Sequence, residues 1–382
     1  MKIALLTTDG REVCKDYDTP APHFGSAPTA LMQGFALMPE LEVHVVACTR
    51  EEVNTPPKLA PNILFHSLRV PKIGWLSTGY QGCIRAVRKK LKEIQPDLVH
   101  GQGTELDCSV SAVFSGFPNV VTIHGNMAEL ARQFRARVGS YYWLTARLEN
   151  LTLKRTAGVF CNSAYTEELV RGRARRTWRV GNAVREAFFA PAAATARSVR
   201  CTLVNLGVIA PRKRQLELLE VVRELRQQGL DFEFQFVGDV SSDKDYVSAF
   251  REKLKPMERD GYARYLGLKT GDELVRLFDG AAGMVHFSPA ESFGLAVAEG
   301  LARDLKVFGA RVGGLPEIAA GMPGVELFGV DDWRGLTSAI TAWIRRGFPL
   351  AQGAANVIRA RCHPKIIAER HVEIYREVLS RN

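Results

Sequence analysis

The chain contains the stretch Ser288-Pro289-Ala290-Glu291-Ser292-Phe293-Gly294-Leu295-Ala296-Val297-Ala298-Glu299, directly after an apolar run at 283–287. The apolar run predicts a buried strand, the Ser-Pro and Gly residues predict a turn, and a helix is expected to start near Phe293. This arrangement places a helix N-terminus at the carboxyl end of a strand, where open α/β sheets bind ligands. Free N–H groups at such a terminus favour a phosphate or a polar sugar edge.

Two glutamates in this stretch are candidate ligand-binding residues. Glu291 lies in the predicted turn, and Glu299 lies more than one turn into the predicted helix. A carboxylate can accept hydrogen bonds from two hydroxyls at once, which suits the diol of a ribose or a hexose. Glu299 could instead lie on the helix surface, but its alanine and leucine neighbours indicate a buried position, where an unpaired carboxylate would be costly.

Apolar runs recur along the rest of the chain, and stretches with a helical period separate them. Near-continuous apolar runs are typical of parallel strands that are buried on both faces. The predicted strands are 2–8, 41–47, 63–68, 98–100, 120–124, 158–162, 202–207, 232–238, 263–266, 283–287 and 305–308. The clearest predicted helices are 81–94, 215–228 and 271–282. This alternation predicts βαβ units and therefore an α/β fold with parallel sheets.

The pattern is interrupted once, between about residues 184 and 200. The segment 188–197 is rich in alanine and has no strong period, which is typical of a linker. A chain of 382 residues is long enough for two domains of roughly 150 residues or more. We therefore predict two doubly wound domains, at 1–185 and 186–364, followed by a final helix.

Composition and charge limit the class of protein. Hydrophobic residues make up 46% and charged residues 24% of the chain, which excludes collagen-like, disordered and low-complexity proteins. Lys and Arg number 51 against 41 Asp and Glu, and the resulting charge of +10 suggests an anionic partner. No nucleic-acid motif is present, so we expect no nucleic-acid partner. The seven cysteines lack C-x-x-C spacing, which argues against a disulfide framework and a zinc ribbon.

We expect a cytoplasmic protein, because no apolar run approaches the roughly 18 residues of a membrane span. The apolar run at the start of the chain is also too short for a signal peptide. Basic residues nevertheless cluster in the first half of the chain, at 85–92, 132–137 and 171–179, around the aromatic segment Tyr141-Tyr142-Trp143. Such a face could dock on anionic lipid at the inner face of a membrane. The alternative is a basic surface that stays in solution and meets an anionic acceptor.

Six landmarks of the chain resemble the family-4 retaining glycosyltransferases, which have the two-domain GT-B fold. The most specific landmark is E-S-F-G-x-x-x-x-E at 291–299. The others are Pro96-Asp97-Leu98-Val99-His100, Val121-Thr122-Ile123-His124-Gly125, Cys161-Asn162-Ser163, Val180-Gly181-Asn182-Ala183-Val184 and Gly313-Gly314-Leu315-Pro316-Glu317-Ile318. Their order and spacing match the family, most clearly over 200–320.

The resemblance implies two Rossmann-like domains that face a central cleft. The first would bind the acceptor, with the C-terminal helix 365–382 packed back on it, and the second would bind a nucleotide-diphospho-sugar. The implied activity is retaining transfer of a hexose-type sugar to an acceptor hydroxyl, in polysaccharide, glycolipid or other glycoconjugate synthesis, without a cofactor or a metal ion. The nucleotide (UDP or GDP), the sugar and the acceptor (a sugar, a lipid-linked group or a small molecule) stay open.

The resemblance also assigns roles to individual residues. Glu299 is expected to bind the ribose and Lys213 the diphosphate, whereas Glu291 and His124 are expected to contact the transferred sugar. The remaining residues of the predicted donor site are Gly207, Arg212, Ser292, Phe293, Gly294 and Leu295. His124 could instead be a structural histidine at a strand end, which is the role that we expect for His100.

One position departs from the family pattern. The usual arginine next to Gly207 is replaced by Val208, whereas Lys213 matches the family lysine. A diphosphate leaving group needs compensating positive charge, and Arg212 is a candidate to supply it. Because neighbours on a helix point about 100° apart, both cations can face one diphosphate only if they lie in a turn before the helix. Otherwise Lys213 acts alone or with Arg214, or these cations are a solvated helix start.

Two other classes of function are compatible with the sequence. One is a different GT-B sugar-nucleotide enzyme, such as an epimerase, and the other is a non-catalytic protein that binds a sugar nucleotide. A non-catalytic relative would be expected to lose Glu291, Lys213 or Glu299, and all three are present. The acidic segment 239–245 lacks the glycine and the terminal glutamate of a calcium loop and is interpreted as a solvated loop.

Overall fold

The structure is a computed structural model that describes residues 1–71, 75–191 and 199–381. The chain forms two compact units. The first unit comprises Met1–Arg185 and the chain from Cys362 onward, and the second comprises Glu186–Arg361.

A mainly parallel sheet forms the centre of the first unit. Its strands are β1 (Lys2–Leu6), β2 (Glu42–Thr49), β3 (Lys58–Ala60), β4 (Ile63–Arg69), β5 (Leu98–Gln102), β6 (Asn119–Ile123), β7 (Val159–Cys161) and β8 (Thr177–Arg179). They lie in the order β3-β4-β2-β1-β5-β6-β7-β8, and β3 runs antiparallel to β4. The order reverses direction between β1 and β5, and such a switch point is where open α/β sheets bind ligands.

Helices pack against this sheet. They are α1 (Gly10–Cys14), α2 (Ser26–Ala36), α3 (Gln81–Ile94), α4 (Asp107–Val113), α5 (Met127–Gln133), α6 (Tyr141–Arg155) and α7 (Ala164–Val170). In α3 the residues Ile84, Val87, Leu91 and Ile94 recur at helical spacing and are buried, which gives the helix one apolar face toward the sheet. β5 is buried along its whole length, as expected for a strand that helices cover on both faces.

A wholly parallel sheet forms the second unit. Its strands are β9 (Cys201–Leu206), β10 (Phe232–Val237), β11 (Ala263–Tyr265), β12 (Gly283–His286), β13 (Lys306–Ala310) and β14 (Val325–Phe328), in the order β11-β10-β9-β12-β13-β14. This is the strand order of a Rossmann fold, with its switch point between β9 and β12. The helices are α8 (Gln215–Gln227), α9 (Lys244–Arg259), α10 (Gly271–Gly280), α11 (Leu295–Leu301), α12 (Leu315–Ala319), α13 (Trp333–Arg345) and α14 (Ala354–Cys362).

The last helix, α15 (Pro364–Leu379), belongs to the first unit and packs against α2. Tyr375 of this helix is fully buried, and its hydroxyl hydrogen-bonds to Nδ1 of His100. The other ring nitrogen of His100 is 2.7 Å from Oγ1 of Thr122. His100 is therefore a structural residue that joins β5 and β6 to the C-terminal helix. Within the described ranges, no helix combines the length and the apolar character that crossing a membrane requires.

Two details of the domain boundaries differ from the prediction. Glu186–Phe189 forms a 3₁₀ turn in which Phe188 and Phe189 are buried, and Arg303 donates a hydrogen bond to the carbonyl of Phe188 (3.2 Å). The start of the predicted linker is thus a packed part of the second unit, because two buried aromatic rings outweigh the alanine-rich sequence around them; the part at 192–198 lies outside the described residues. The return to the first unit begins at Cys362, whose carbonyl accepts a hydrogen bond from Val184.

The predicted α/β fold with two parallel sheets is confirmed. Three short strands, β3, β8 and β14, were not predicted. All three lie at sheet edges, and each is largely half-buried or exposed. An edge strand faces solvent on one side, so it lacks the apolar run by which the other strands were recognised.

Candidate functional site

The switch point of the second unit brings the two predicted donor-site segments together. Gly207 follows β9 and leads to a 3₁₀ turn at Pro211–Lys213, whereas the turn 287–294 follows β12 and leads to α11. Because β9 and β12 are parallel neighbours, both segments leave the same edge of the sheet. The hydroxyl of Ser288 connects them by donating a hydrogen bond to the carbonyl of Arg212 (3.0 Å).

A glycine turn holds the backbone around Glu291. The amide of Gly314 donates a hydrogen bond to the carbonyl oxygen of Glu291 (3.0 Å). At Gly313, φ is +54°, and a Cβ would lie 1.7 Å from that same oxygen. Only glycine fits there, because any other side chain would collide with the backbone of the turn. The Gly313-Gly314 pair therefore positions the glutamate.

The carboxylate of Glu291 lies between two basic side chains. Its Oε2 accepts hydrogen bonds from Nζ of Lys213 (3.1 Å) and from Nε2 of His286 (3.0 Å). Burial alone would raise the pKa of Glu291, but the hydrogen bond from His286 and the charge of Lys213 hold that pKa well below its usual range. Burial, together with the charge of Lys213, lowers the pKa of His286. At neutral pH the carboxylate is therefore ionised, and the neutral imidazole donates its Nε2 proton.

Lys213 and Arg212 lie in the predicted turn before α8, but their surroundings differ. The side chain of Lys213 is only 13% exposed, and its apolar stem passes over Gly207, where a Cβ would lie 3.6 Å from Cγ and Cδ of the lysine. Arg212 is exposed, yet its charge contributes to lowering the pKa of His286. The turn thus presents one cation held against Glu291 and a second cation at the surface.

Arg214, the alternative second cation, is bound elsewhere. Its guanidinium donates to the carbonyl of Val330 (2.8 Å) and to Oδ1 of Asp331 (2.9 Å), and it lies over the ring of Trp333. These contacts hold the residue at the N-terminus of α13. Val208, at the usual arginine position, is 36% exposed.

The helix that carries Glu299 begins at Leu295, two residues later than predicted, because Gly294 has a left-handed conformation. Glu299 is 3% exposed, so it does not lie on the helix surface. In the described part of the chain, no protein acceptor takes a hydrogen bond from the amides of Phe293 and Gly294. Together with the flanking Ser292, these amides form the polar edge of the turn.

His124 belongs to the first unit, whereas the other predicted site residues belong to the second. It follows β6, and its Nε2 is 3.0 Å from Oε1 of Gln102, at the end of the neighbouring strand β5. Because an amide oxygen only accepts hydrogen bonds, Nε2 carries the proton and Nδ1 is an acceptor. Burial lowers the pKa of His124 to about 4, so the imidazole is neutral at physiological pH. A narrow pocket opens here, lined by His124, Gln102, Asn182 and His371, among others.

Glu105 is a polar residue near the carboxyl ends of β5 and β6 that the sequence analysis did not single out. It lies three residues beyond β5, and its Oε1 accepts a hydrogen bond from the amide of Gly125 (2.7 Å), the residue after His124. Burial raises the pKa of Glu105. The nearby Glu149, by contrast, forms a buried ion pair with Arg173 and is a structural residue. Glu105 has no such ion pair among the described residues.

Sequence comparisons match both parts of the chain. Residues 36–186 match the family described as Glycosyltransferase Family 4, and residues 200–346 match the family described as Glycosyl transferases group 1. The chain belongs to the family-4-like GT-B glycosyltransferases. No curated protein matches the sequence of this glycosyltransferase.

Solved structures share the fold of this glycosyltransferase over its whole length. Sucrose-phosphate synthase (tll1590) from Thermosynechococcus elongatus has 17% identity and a TM-score of 0.79, covering 100% of both chains. Anabaena Alr3699/HepE in complex with UDP-glucose has 16% identity and a TM-score of 0.73, covering 99% of this chain and 100% of that one. The lipopolysaccharide outer core galactosyltransferase WaaB has 12% identity, a TM-score of 0.66 and the same coverage. These matches confirm the predicted GT-B fold.

Proposed function

We propose that this glycosyltransferase moves a hexose-type sugar from a nucleotide-diphospho-sugar to an acceptor hydroxyl, with retention of the anomeric configuration. The observation that carries the proposal is the contact of Glu291 with Lys213 and His286 at the switch point of the second unit. The structures of Alr3699/HepE with UDP and with UDP-glucose support a uridine nucleotide as the first donor to test.

The charged side chains of the second unit suit a donor that carries a negative diphosphate and two sugars with hydroxyl groups. Lys213 and Arg212 offer positive charge to a diphosphate, and the buried Glu299 offers a carboxylate to the ribose diol. Glu291 is ionised and therefore acts only as an acceptor, which suits the hydroxyls of the transferred sugar. The amides of Phe293 and Gly294, which no acceptor in the described ranges takes up, donate to the polar edge of the donor.

The proposed reaction needs positioning and charge compensation rather than a protein nucleophile. The bond from the anomeric carbon to the diphosphate oxygen breaks while the acceptor oxygen bonds to the same carbon, on the face that the leaving group vacates. The acceptor proton passes to an oxygen of the departing phosphate. Lys213, supported by Arg212, stabilises the negative charge that develops on this leaving group. We propose that these cations act without a metal ion or a cofactor.

We assign the acceptor to the first unit. Neutral His124 can donate or accept a hydrogen bond without adding charge, which suits contact with the hydroxyls of the transferred sugar. Glu105 and the amide groups of Gln102 and Asn182 supply further partners for a polyhydroxyl acceptor. Several polar groups at one end of the sheet favour a sugar or a sugar-containing acceptor, as in glycoconjugate synthesis.

A donor panel tests the proposed function. We expect UDP and a UDP-hexose to raise the melting temperature, since a ligand at 100 times its Kd adds roughly 2.7 kcal/mol to the free energy of unfolding. The purified protein is then incubated with the donor that stabilises it most and a panel of sugar acceptors, and the product is analysed by NMR. The expected product has the same anomeric configuration as the donor. An inverted product, or no stabilisation by any nucleotide or nucleotide sugar, would contradict the proposal.

The same assay tests metal independence. We expect the rate of transfer to be unchanged by a short exposure to excess EDTA, because Lys213 and Arg212 supply the positive charge that a divalent ion would otherwise provide. A loss of more than about tenfold that Mg²⁺ or Mn²⁺ restores would show that the leaving group depends on a metal ion.

We further propose that the first unit docks peripherally on anionic membranes from the cytoplasmic side. Phe134 and Val138 are 51% and 80% exposed in the short segment between α5 and α6, and Tyr141, the first residue of α6, is 45% exposed. Basic residues at 132–137 accompany them. Exposed apolar groups beside cations bind anionic lipid surfaces.

Vesicle co-sedimentation tests this surface. We expect the protein to bind vesicles that contain phosphatidylglycerol more strongly than pure phosphatidylcholine vesicles, and Val138→Ser together with Phe134→Ser to weaken this binding severalfold. Leu268→Ser is the matched control, because Leu268 is 60% exposed in the second unit. If the wild type, the double variant and Leu268→Ser bound these vesicles equally, the segment between α5 and α6 would not be the lipid-binding surface.

A further inference from the structure

The core of the first unit contains a compact group of two thiols and a carboxylate, which the donor and acceptor sites do not use. Cys48 lies in β2, Cys83 in α3 and Asp107 at the first position of α4. One ligand atom from each residue lies within 4.8 Å of the other two, and the residues are 4%, 0% and 6% exposed. Three elements that are distant in the sequence therefore converge on one buried point.

The carboxylate in this group accepts a hydrogen bond from the thiol of Cys48 but has no cationic partner in the described part of the chain, unlike three other buried acids. Asp9 pairs with Arg11, Glu149 with Arg173 and Asp279 with Arg303. Among the described residues, no Lys, Arg or His forms an ion pair with Asp107. An ionised carboxylate in an apolar interior is costly unless a cation compensates its charge.

The chemistry of the group suits a thiophilic divalent cation. Zinc binds cysteine sulfur at about 2.3 Å and carboxylate oxygen at about 2.0–2.2 Å, so ligand atoms around one tetrahedral zinc lie about 3.5–3.8 Å apart. The three atoms of the group need to approach one another by only about 1 Å to reach this geometry. Cysteines in reducing compartments serve more often as metal ligands than as disulfides.

We propose that Cys48, Cys83 and Asp107 hold one structural zinc ion that joins β2, α3 and α4. On binding, each thiol releases its proton to solvent and forms a sulfur–zinc bond, while an oxygen of Asp107 takes a third coordination position. The two positive charges of the ion balance the two thiolates, so the net charge of the group is unchanged, and the stabilisation comes from coordination of both sulfurs and the carboxylate to one ion. No donor or acceptor group is a ligand, so this site stabilises the fold and has no part in sugar transfer.

Metal analysis of the purified protein tests the site. The protein is purified under reducing conditions with zinc present and desalted, and its zinc content is measured by inductively coupled plasma mass spectrometry. We expect about one zinc ion per chain in the wild type, and at least about tenfold less in Cys83→Ser and in Asp107→Asn. Cys161→Ser is the matched control, because Cys161 is equally buried but lies in β7, outside the group.

A second measurement does not depend on how well the variants fold. Wild-type protein depleted of metal and titrated with Co²⁺ is expected to develop the near-ultraviolet absorption of cobalt–thiolate bonds, which saturates at about one equivalent. The proposal would be overturned if the metal-depleted wild type, with its thiols reduced, showed no such absorption on titration with Co²⁺. It would also be overturned if Cys83→Ser and Asp107→Asn retained as much zinc as Cys161→Ser. A Cys48–Cys83 disulfide, seen as a loss of two hydrogens in the intact mass, would also overturn it. None of these measurements involves a nucleotide sugar, so their outcome is separate from the donor assays.

Discussion

Replacing Lys213 by methionine is expected to lower kcat/KM by about ten- to a thousandfold, the scale of removing one electrostatic donor from a developing anion. Methionine keeps an apolar stem over Gly207 and removes only the charge. The loss arises because the departing diphosphate no longer meets the cation that now lies 3.1 Å from Glu291. Steady-state kinetics with the donor that stabilises the wild type best measure this change.

Alanine variants of Arg212 and Arg214 show whether the effect of Lys213→Met is specific to that lysine or is shared by neighbouring cations. If Arg212 replaces the missing family arginine, Arg212→Ala also lowers kcat/KM by at least about tenfold. Arg214→Ala is the matched control, since its guanidinium is bound to Val330 and Asp331, and we expect near wild-type turnover from it. Normal activity in Arg212→Ala would refute the substitute-arginine hypothesis alone. Normal activity in Lys213→Met would remove the lysine from the proposed mechanism.

Replacing Glu291 by alanine is expected to reduce turnover by at least about tenfold and to weaken binding of the nucleotide sugar, because the sugar loses its ionised acceptor. Binding of the free nucleotide diphosphate should be preserved or become tighter, since Lys213 is released from its ion pair with Glu291 and its charge becomes available to phosphate. Isothermal titration with the diphosphate and with the intact donor distinguishes these two effects.

Glu299→Ala is the matched comparison for Glu291→Ala. Its proposed partner is the ribose, which the diphosphate and the nucleotide sugar share. The variant should therefore weaken binding of both ligands similarly, by roughly 1–3 kcal/mol through the loss of charge-assisted hydrogen bonds. If Glu291→Ala weakened both ligands equally, the assignment of Glu291 to the sugar would be wrong.

The candidate site was only partly recognisable in the sequence. Glu291 and Glu299 are visible because they lie within one continuous motif at the end of an apolar run. His286 was missed because it lies within the predicted buried strand 283–287, and only the folded turn shows it donating to Glu291. Glu105 was missed because its partner, Gly125, follows a different strand. Two signals could have revealed them: His286 is a polar residue that interrupts the apolar run at 283–287, and Glu105 is an acidic residue shortly after the strand β5.

The sequence by itself determined the two parallel sheets, the positions of most of their buried strands along the chain and the position of the E-S-F-G-x-x-x-x-E motif. These features depend on local periodicity, because a strand covered on both faces must be apolar along its length. Tertiary structure decided which charges meet. The pairing of Lys213 with Glu291, the diversion of Arg214 to Asp331 and the convergence of Cys48, Cys83 and Asp107 join residues from separate elements. Such contacts depend on how helices and turns pack across the sheet. No local pattern in the chain encodes how close two side chains from separate elements come in the fold.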